Sequence, residues 1–414
     1  MLVPESVLRL LPKTDLHLHL DGSLRLETLI DLAQQYHVKL PAGTPEELRE
    51  LVFKEEYANL GEYLQGFSYT CAVLQTVEAL ERVSYELAWD NMNEGVRYIE
   101  VRFAPFLHTA QGLSLGDILQ AVCDGLNRAK MEFNARPEVV SNQEPPFYFG
   151  VIVCALRMFN EHIPGWYGNF RKMFSRTKEK DIFGLASLEL VKQTVSIRDE
   201  RQLPIVGFDL AGQEDGYPAK HHKQAFEYAH QKFLMKTVHA GEAYGPESIF
   251  EALNFSYADR LGHGYHLFSS NKIQSKKARN PDRYINDLID YISNRRLTIE
   301  VCISSNLQTN PEIKTVSEHN LRKMLEHKMS ITLCTDNRLV SHTTVTNEYA
   351  LMLKHFDVDL KMLRDIVTYG FKRAFFPGTY LEKRIYIRQC IDYFDKVWSE
   401  QMSKVGQSNA ESES

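Results

Sequence analysis

Along this chain the apolar and polar positions change their period repeatedly, and each change marks an element. Val96 to Phe103 alternates, with Val96, Tyr98, Glu100 and Arg102 on one face and Arg97, Ile99, Val101 and Phe103 on the other. A period of two predicts a strand. Just before it, Val77, Leu80, Val83 and Leu87 recur at helical spacing, and the pattern stops at Glu94-Gly95, which predicts a helix over Val77–Asn93. Leu26–Tyr36 also reads as helical. Short apolar runs predict further strands at Phe147–Cys154, Ile205–Leu210, Phe233–His239, Arg260–His266, Leu297–Ser304 and Ile331–Cys334, and the first strand lies in Thr14–Gly22. Eight strand candidates alternating with helical segments require parallel pairing, and eight repeats predict closure into a (β/α)8 TIM barrel.

The 414 residues are expected to form one barrel domain over 1–403. A stretch near 157–181, rich in aromatic and basic residues (Trp166, Tyr167, Phe170 and Phe174 among them), is expected as a packed surface excursion, with a lid or interaction surface as the other reading. The polar residues 404–414 are expected to form a disordered tail. With 43% hydrophobic and 25% charged residues, the composition is that of a globular protein. The net charge of −6 and the lack of any basic block argue against nucleic acid or an acidic membrane surface as partner. The first eleven residues, broken by Pro4 and Glu5, read as neither signal peptide nor membrane span. Six widely spaced cysteines without a C-x-x-C pair fit buried thiols in a reducing compartment, so the cytoplasm is the expected location.

Chemistry gathers at the predicted strand ends. On a strand, His17 and His19 project to the same side, and Gly22 lets the chain turn sharply beyond Asp21. His239, Glu242, His263 and Asp336 also fall at carboxyl ends of strands, where a parallel barrel keeps its active site. Taken alone, a His-x-His pair is also what ordinary core histidines would look like. Three imidazoles and one carboxylate, however, suit a borderline metal such as zinc with a position left for water, and such a metal makes hydroxide available near neutral pH. Glu242 can face the same cavity without binding the metal and donate a proton to a substrate ring nitrogen; its other reading is a charge at the start of the following helix. His263 can take a proton from the water, or can be a core histidine bonded to a carbonyl.

The segments TDLHLHLDGSL, EGVRYIEVRFAP, FDLAG, TVHAGE, RLGHGYH and CTDN, in this order, resemble the adenosine deaminase family of the amidohydrolase superfamily, over about Leu11 to Pro377. The stretch 157–181 and a polar one around 269–283 are longer than the family pattern. The resemblance implies a single catalytic barrel with one zinc ion per subunit, held by His17, His19, His239 and Asp336. It implies Glu242 as the proton donor to the purine and His263 as the residue that orients the hydroxide. The substrate-binding set it implies is His19, Asp21, Gly212 and Asn337, with Asp21 at the ribose and the Gly212 backbone at the N3 side of the purine. Two-metal members of the superfamily use a bridging lysine on the fourth strand; Ile205–Leu210 contains none, in keeping with one metal.

The implied reaction is hydrolytic: hydroxide adds to carbon 6 of adenosine or 2′-deoxyadenosine, Glu242 protonates ring position 1, and ammonia leaves to give inosine or 2′-deoxyinosine. The expected partner is thus a small purine nucleoside, while oligomeric state is open. One departure is Asp336-Asn337, where the family commonly has two aspartates. The second one faces purine N7, which only accepts hydrogen bonds, and an amide donates there without needing a proton. Two alternatives stay open: a deaminase of another 6-aminopurine compound, such as aminodeoxyfutalosine or an N6-substituted AMP, and a zinc-stabilised binding module without catalysis. Arg157 and the basic residues after it keep a nucleotide substrate in play.

Overall fold

In the computed structural model, residues 3–58, 60–274, 280–310 and 312–412 are described, the side chains of 60, 402 and 404–412 excepted. The expected tail at 404–414 and the centre of the polar stretch, 275–279, therefore lie outside the described side chains. Eight strands form one sheet in sequential order: β1 (Lys13–His19), β2 (Val96–Phe103), β3 (Tyr148–Leu156), β4 (Ile205–Ala211), β5 (Met235–Ala240), β6 (Arg260–His263), β7 (Thr298–Val301) and β8 (Ile331–Leu333). Every neighbouring pair is parallel. The ends meet where the Asp336 N–H donates to the His17 carbonyl and the His19 N–H to the Asp336 carbonyl, both at 2.8 Å. All eight predicted strands are present, so the alternation of periods had encoded a TIM barrel.

Each strand is followed by helix, and the helices form because their apolar residues recur on one side. In Leu115–Asn134, Leu115, Ile118, Leu119, Val122, Leu126, Ala129 and Phe133 are buried against the barrel, and the Ser114 hydroxyl caps the start by accepting from the Asp117 N–H. The predicted helix at Val77 runs to Met92, with Thr76 as its cap. Among the described residues no helix is long and apolar enough to cross a membrane.

The alternation in β2 does not separate water from core, because all eight of its residues are buried. Its polar face points into the barrel. There Arg102 reaches Asp209 at 3.0 Å and Glu300 at 2.9 Å, while Arg260 binds Glu100 and, at 2.7 Å, Glu300. The usual branched apolar filling of such barrels is replaced at this level by an ion network. In the 157–181 region the helix Trp166–Met173 stacks on the turn after β2, with ring centroids of Phe106 and Trp166 at 3.9 Å and of Trp166 and Phe170 at 4.4 Å. Arg157 is not part of that surface: its side chain is fully buried and turned under the barrel mouth.

Candidate active site

β1 delivers His17 and His19 to one point at the carboxyl end of the barrel, β5 delivers His239, and the turn after β8 delivers Asp336. The Nε2 atoms of His17 and His239 lie 3.0 Å apart and those of His19 and His239 3.1 Å apart. Asp336 Oδ1 is 3.4 Å from Nε2 of both His17 and His19. These spacings are close to the roughly 3.3 Å that bonds of about 2.0 Å impose around one tetrahedral ion.

The outer partners show why the four atoms fit a cation. His17 Nδ1 donates to Glu300 at 2.9 Å and His239 Nδ1 to Asp209 at 3.0 Å. With the proton committed to Nδ1, each Nε2 presents a lone pair, and two lone pairs 3.0 Å apart repel unless a cation lies between them. Burial also pushes His19 and His239 below the ordinary imidazole range, which favours the neutral form that a metal ligand needs. Burial pushes the Asp336 carboxyl up, but the imidazoles around it, His17 first, hold it well below the usual carboxylate range. Ser305 donates to its second oxygen at 2.6 Å.

Glu242 stands beside the cluster. Its carboxyl is 3.6 Å from His263 Nε2, which is itself 4.0 Å from Asp336. Burial raises the Glu242 carboxyl above the usual range, and the negative charges of Asp336 and Glu214 add to the effect. His263 is held through its far nitrogen. The Leu321 N–H donates to His319 Nδ1 at 2.9 Å, His319 Nε2 therefore donates to Asn306 Oδ1 at 3.2 Å, and the Asn306 amide donates to His263 Nδ1 at 3.0 Å. This chain leaves the His263 proton on Nε2, which has no partner of its own.

His263 and Asp336 have φ of 61° and 62°. Left-handed backbone at residues other than glycine is strained and clusters at functional sites; here it turns both side chains off their strand ends into the mouth.

Asp21, buried after β1, has an unpartnered Oδ1 and is pushed up to about 7 by burial. Gly212 follows β4 with φ +95°, a conformation that requires glycine. Asn337 donates through Nδ2 to the Tyr63 hydroxyl at 2.7 Å, and its Oδ1 lacks a partner. It packs so tightly on Gly22 that a Cβ there would overlap the amide. Polar atoms without a hydrogen-bond partner thus occur on Asp21, His263 and Asn337, next to or near the His17, His19, His239 and Asp336 group in the fold.

Several participants had no role in the sequence reading. Asp209 lies inside the FDLAG segment and Glu300 is the lone charge of β7; a carboxylate in an otherwise apolar strand was the available signal for both. Arg102, Ser305, Asn306, Glu214 and Tyr63 carry no spacing that would have singled them out.

The model of the family described as adenosine deaminase matches residues 12–199 and 186–386. The chain is 34% identical over 371 residues to a probable adenosine deaminase of Dictyostelium discoideum, covering 89% of this chain but only 41% of that protein. It is 33% identical over 365 residues to an adenosine deaminase of Vibrio atlanticus, covering 88% of this chain and 94% of the relative. Among solved structures, the N6-methyl-AMP deaminase of Arabidopsis thaliana superposes with a TM-score of 0.69 at 22% identity, over 94% of this chain and 98% of that one. With its barrel, its cluster of three histidines and an aspartate that could hold a metal ion, and these matches, the chain belongs to the adenosine deaminase family of hydrolytic enzymes.

Proposed function

We propose that this protein deaminates a 6-aminopurine nucleoside, adenosine or 2′-deoxyadenosine, to inosine or 2′-deoxyinosine and ammonia. The observation that carries this reading is the buried Glu242 carboxyl, pushed up to about 8 by burial, beside four residues that could hold a metal ion. His17, His19, His239 and Asp336 would hold zinc, which supplies a water acidic enough to act as hydroxide near neutral pH. Glu242 holds the proton that ring N1 takes up as water adds to carbon 6. His263, with its proton on Nε2, donates and so orients the attacking water rather than deprotonating it. As the C6–N6 bond breaks, the amine takes one of the water's two protons and leaves as ammonia, and the other returns to Glu242 as the C6 oxygen becomes the product's carbonyl.

Two observations favour a nucleoside over a nucleotide. Arg157, the cation that kept a phosphate in play, spends its guanidinium on the carbonyls of Tyr217 at 2.7 Å and His239 at 2.6 Å. Asp21 offers a buried carboxyl at the ribose end, which would repel a phosphate and bind a hydroxyl. The six cysteines are all free thiols, five of them buried, which supports the cytoplasmic reading.

The test is ammonia release by the zinc-loaded protein with adenosine, 2′-deoxyadenosine, AMP, N6-methyl-AMP, adenine and aminodeoxyfutalosine. Turnover of the two nucleosides is expected; turnover of a nucleotide alone would overturn the substrate assignment. Chelation is expected to abolish turnover and lower the melting temperature, with both restored by added zinc, because an ion that binds only the folded state stabilises it. Zinc binding without turnover of any purine would establish the binding module instead.

Asn337 makes a second prediction. One Nδ2 hydrogen goes to Tyr63, leaving the other free for purine N7. The wild-type KM is expected to be nearly flat across neutral pH. In Asn337→Asp the donor must be a protonated acid, so KM should rise by about tenfold per pH unit above that acid's pKa. A steep wild-type KM that flattens in the variant would sink this role for Asn337.

A further inference from the structure

The segment that carries both His239 and Glu242 is gripped by two buried charges. Glu214, just past β4, is 4% exposed. Its Oε1 accepts from the Gly241 N–H at 2.7 Å and from the Ser248 hydroxyl. Its Oε2 accepts from the N–H groups of Glu242 at 3.1 Å, Ala243 at 2.8 Å and Tyr244 at 2.9 Å. Four consecutive backbone donors therefore converge on one carboxylate. From the other side, Arg157 at the end of β3 donates to the His239 carbonyl. The two charges attract each other and tie the residues between them to the ends of strands three and four, while the His266 N–H, past β6, donates to the Gly241 carbonyl at 2.8 Å. Within that turn Gly241 has φ +72°, and a Cβ there would strike Ile249.

We infer that Glu214 is a positioning residue for catalysis, whose carboxylate, opposed by Arg157, fixes the proton-donating Glu242 relative to the metal ligand His239 through the backbone of residues 241–244. The inference rests on the role given to Glu242 above. A carboxylate accepting several backbone N–H groups makes short, charge-assisted bonds, and displacing a catalytic group by about 1 Å can cost on the order of a hundredfold in rate. A residue that only capped the helix Pro246–Phe255 would affect stability and leave turnover per folded, metal-loaded molecule unchanged.

The experiment compares Glu214→Gln and Glu214→Asp with the wild type. Gln keeps the shape but loses the charge; Asp keeps the charge but withdraws it by one methylene. Both variants, assayed as zinc-loaded protein with adenosine, are expected to lose about 10- to 100-fold in kcat, as outer-shell partners do, with KM within about threefold and zinc content unchanged. Hydrogen exchange of the 241–244 amides should be at least tenfold faster in Glu214→Gln. Should Glu214→Gln fail to fold, Glu214→Asp with the same two readouts decides. Wild-type kcat in either folded variant would overturn the inference, as would a loss that only follows zinc content, or exchange at 241–244 that is unchanged. The exchange measurement needs no substrate, so a wild-type protein silent on every purine would sink the proposed reaction while the grip on the loop is still tested.

Discussion

Glu242→Gln is expected to lower kcat by about 10²- to 10⁴-fold, the range a positioned general acid contributes, while zinc content stays at one per chain. Gln matches the shape of the acid and can still donate a hydrogen bond, but it has no proton to give to the ring nitrogen. Zinc should be retained because Glu242 is outside the group of His17, His19, His239 and Asp336; it lies in a second group with His263, at 3.6 Å, and Asp336. Ammonia release and metal analysis on the same preparation check both halves. Normal turnover in the variant would remove Glu242 from the chemistry, and zinc loss would make it a ligand.

Arg102→Met is expected to destabilise the fold by about 3–5 kcal/mol, the usual effect of removing one partner from a buried ion pair. Arg102 is fully buried and is a shared cation: Asp209 and Glu300 both lean on it, and these two carboxylates orient His239 and His17. Met fills most of the space but leaves both acids undercompensated. Urea unfolding of the zinc-free protein measures the first effect. Zinc titration should show a second, an affinity lower by about 10- to 100-fold as the histidines lose their set. Stability within 0.5 kcal/mol of wild type would mean, by the usual tolerance of neutral substitutions, that the barrel network is dispensable.

The barrel was legible because period changes along the chain reflect the two repeating geometries that build it, and all eight strands lie where those changes put them. The convergence of His17, His19, His239 and Asp336 was legible for a related reason: strand ends of one parallel barrel share one rim. What could not be read was where long side chains travel. Arg157 follows a strand and precedes a basic stretch, so it looked like surface, yet it runs inward to the His239 carbonyl. The alternation in β2 gave no sign that its Glu100 and Arg102 face lies inside the barrel, because period two records which residues share a face and is silent on what that face meets. Glu214 and Asn306 were invisible because their side-chain partners lie 13 or more positions away.

The left-handed backbone at His263 and Asp336 sets two demands on the chain against each other. Such a conformation costs about 1–3 kcal/mol at each position, and a glycine would relieve much of it. A chain selected only for a robust barrel would therefore drift towards glycine at both turns. Laboratory schemes that rank variants by thermal resistance alone would reward that drift and return well-folded barrels with no site. Heat tolerance and chemistry have to be scored together for this scaffold, because two of its left-handed turns carry His263 and Asp336, side chains of the proposed site.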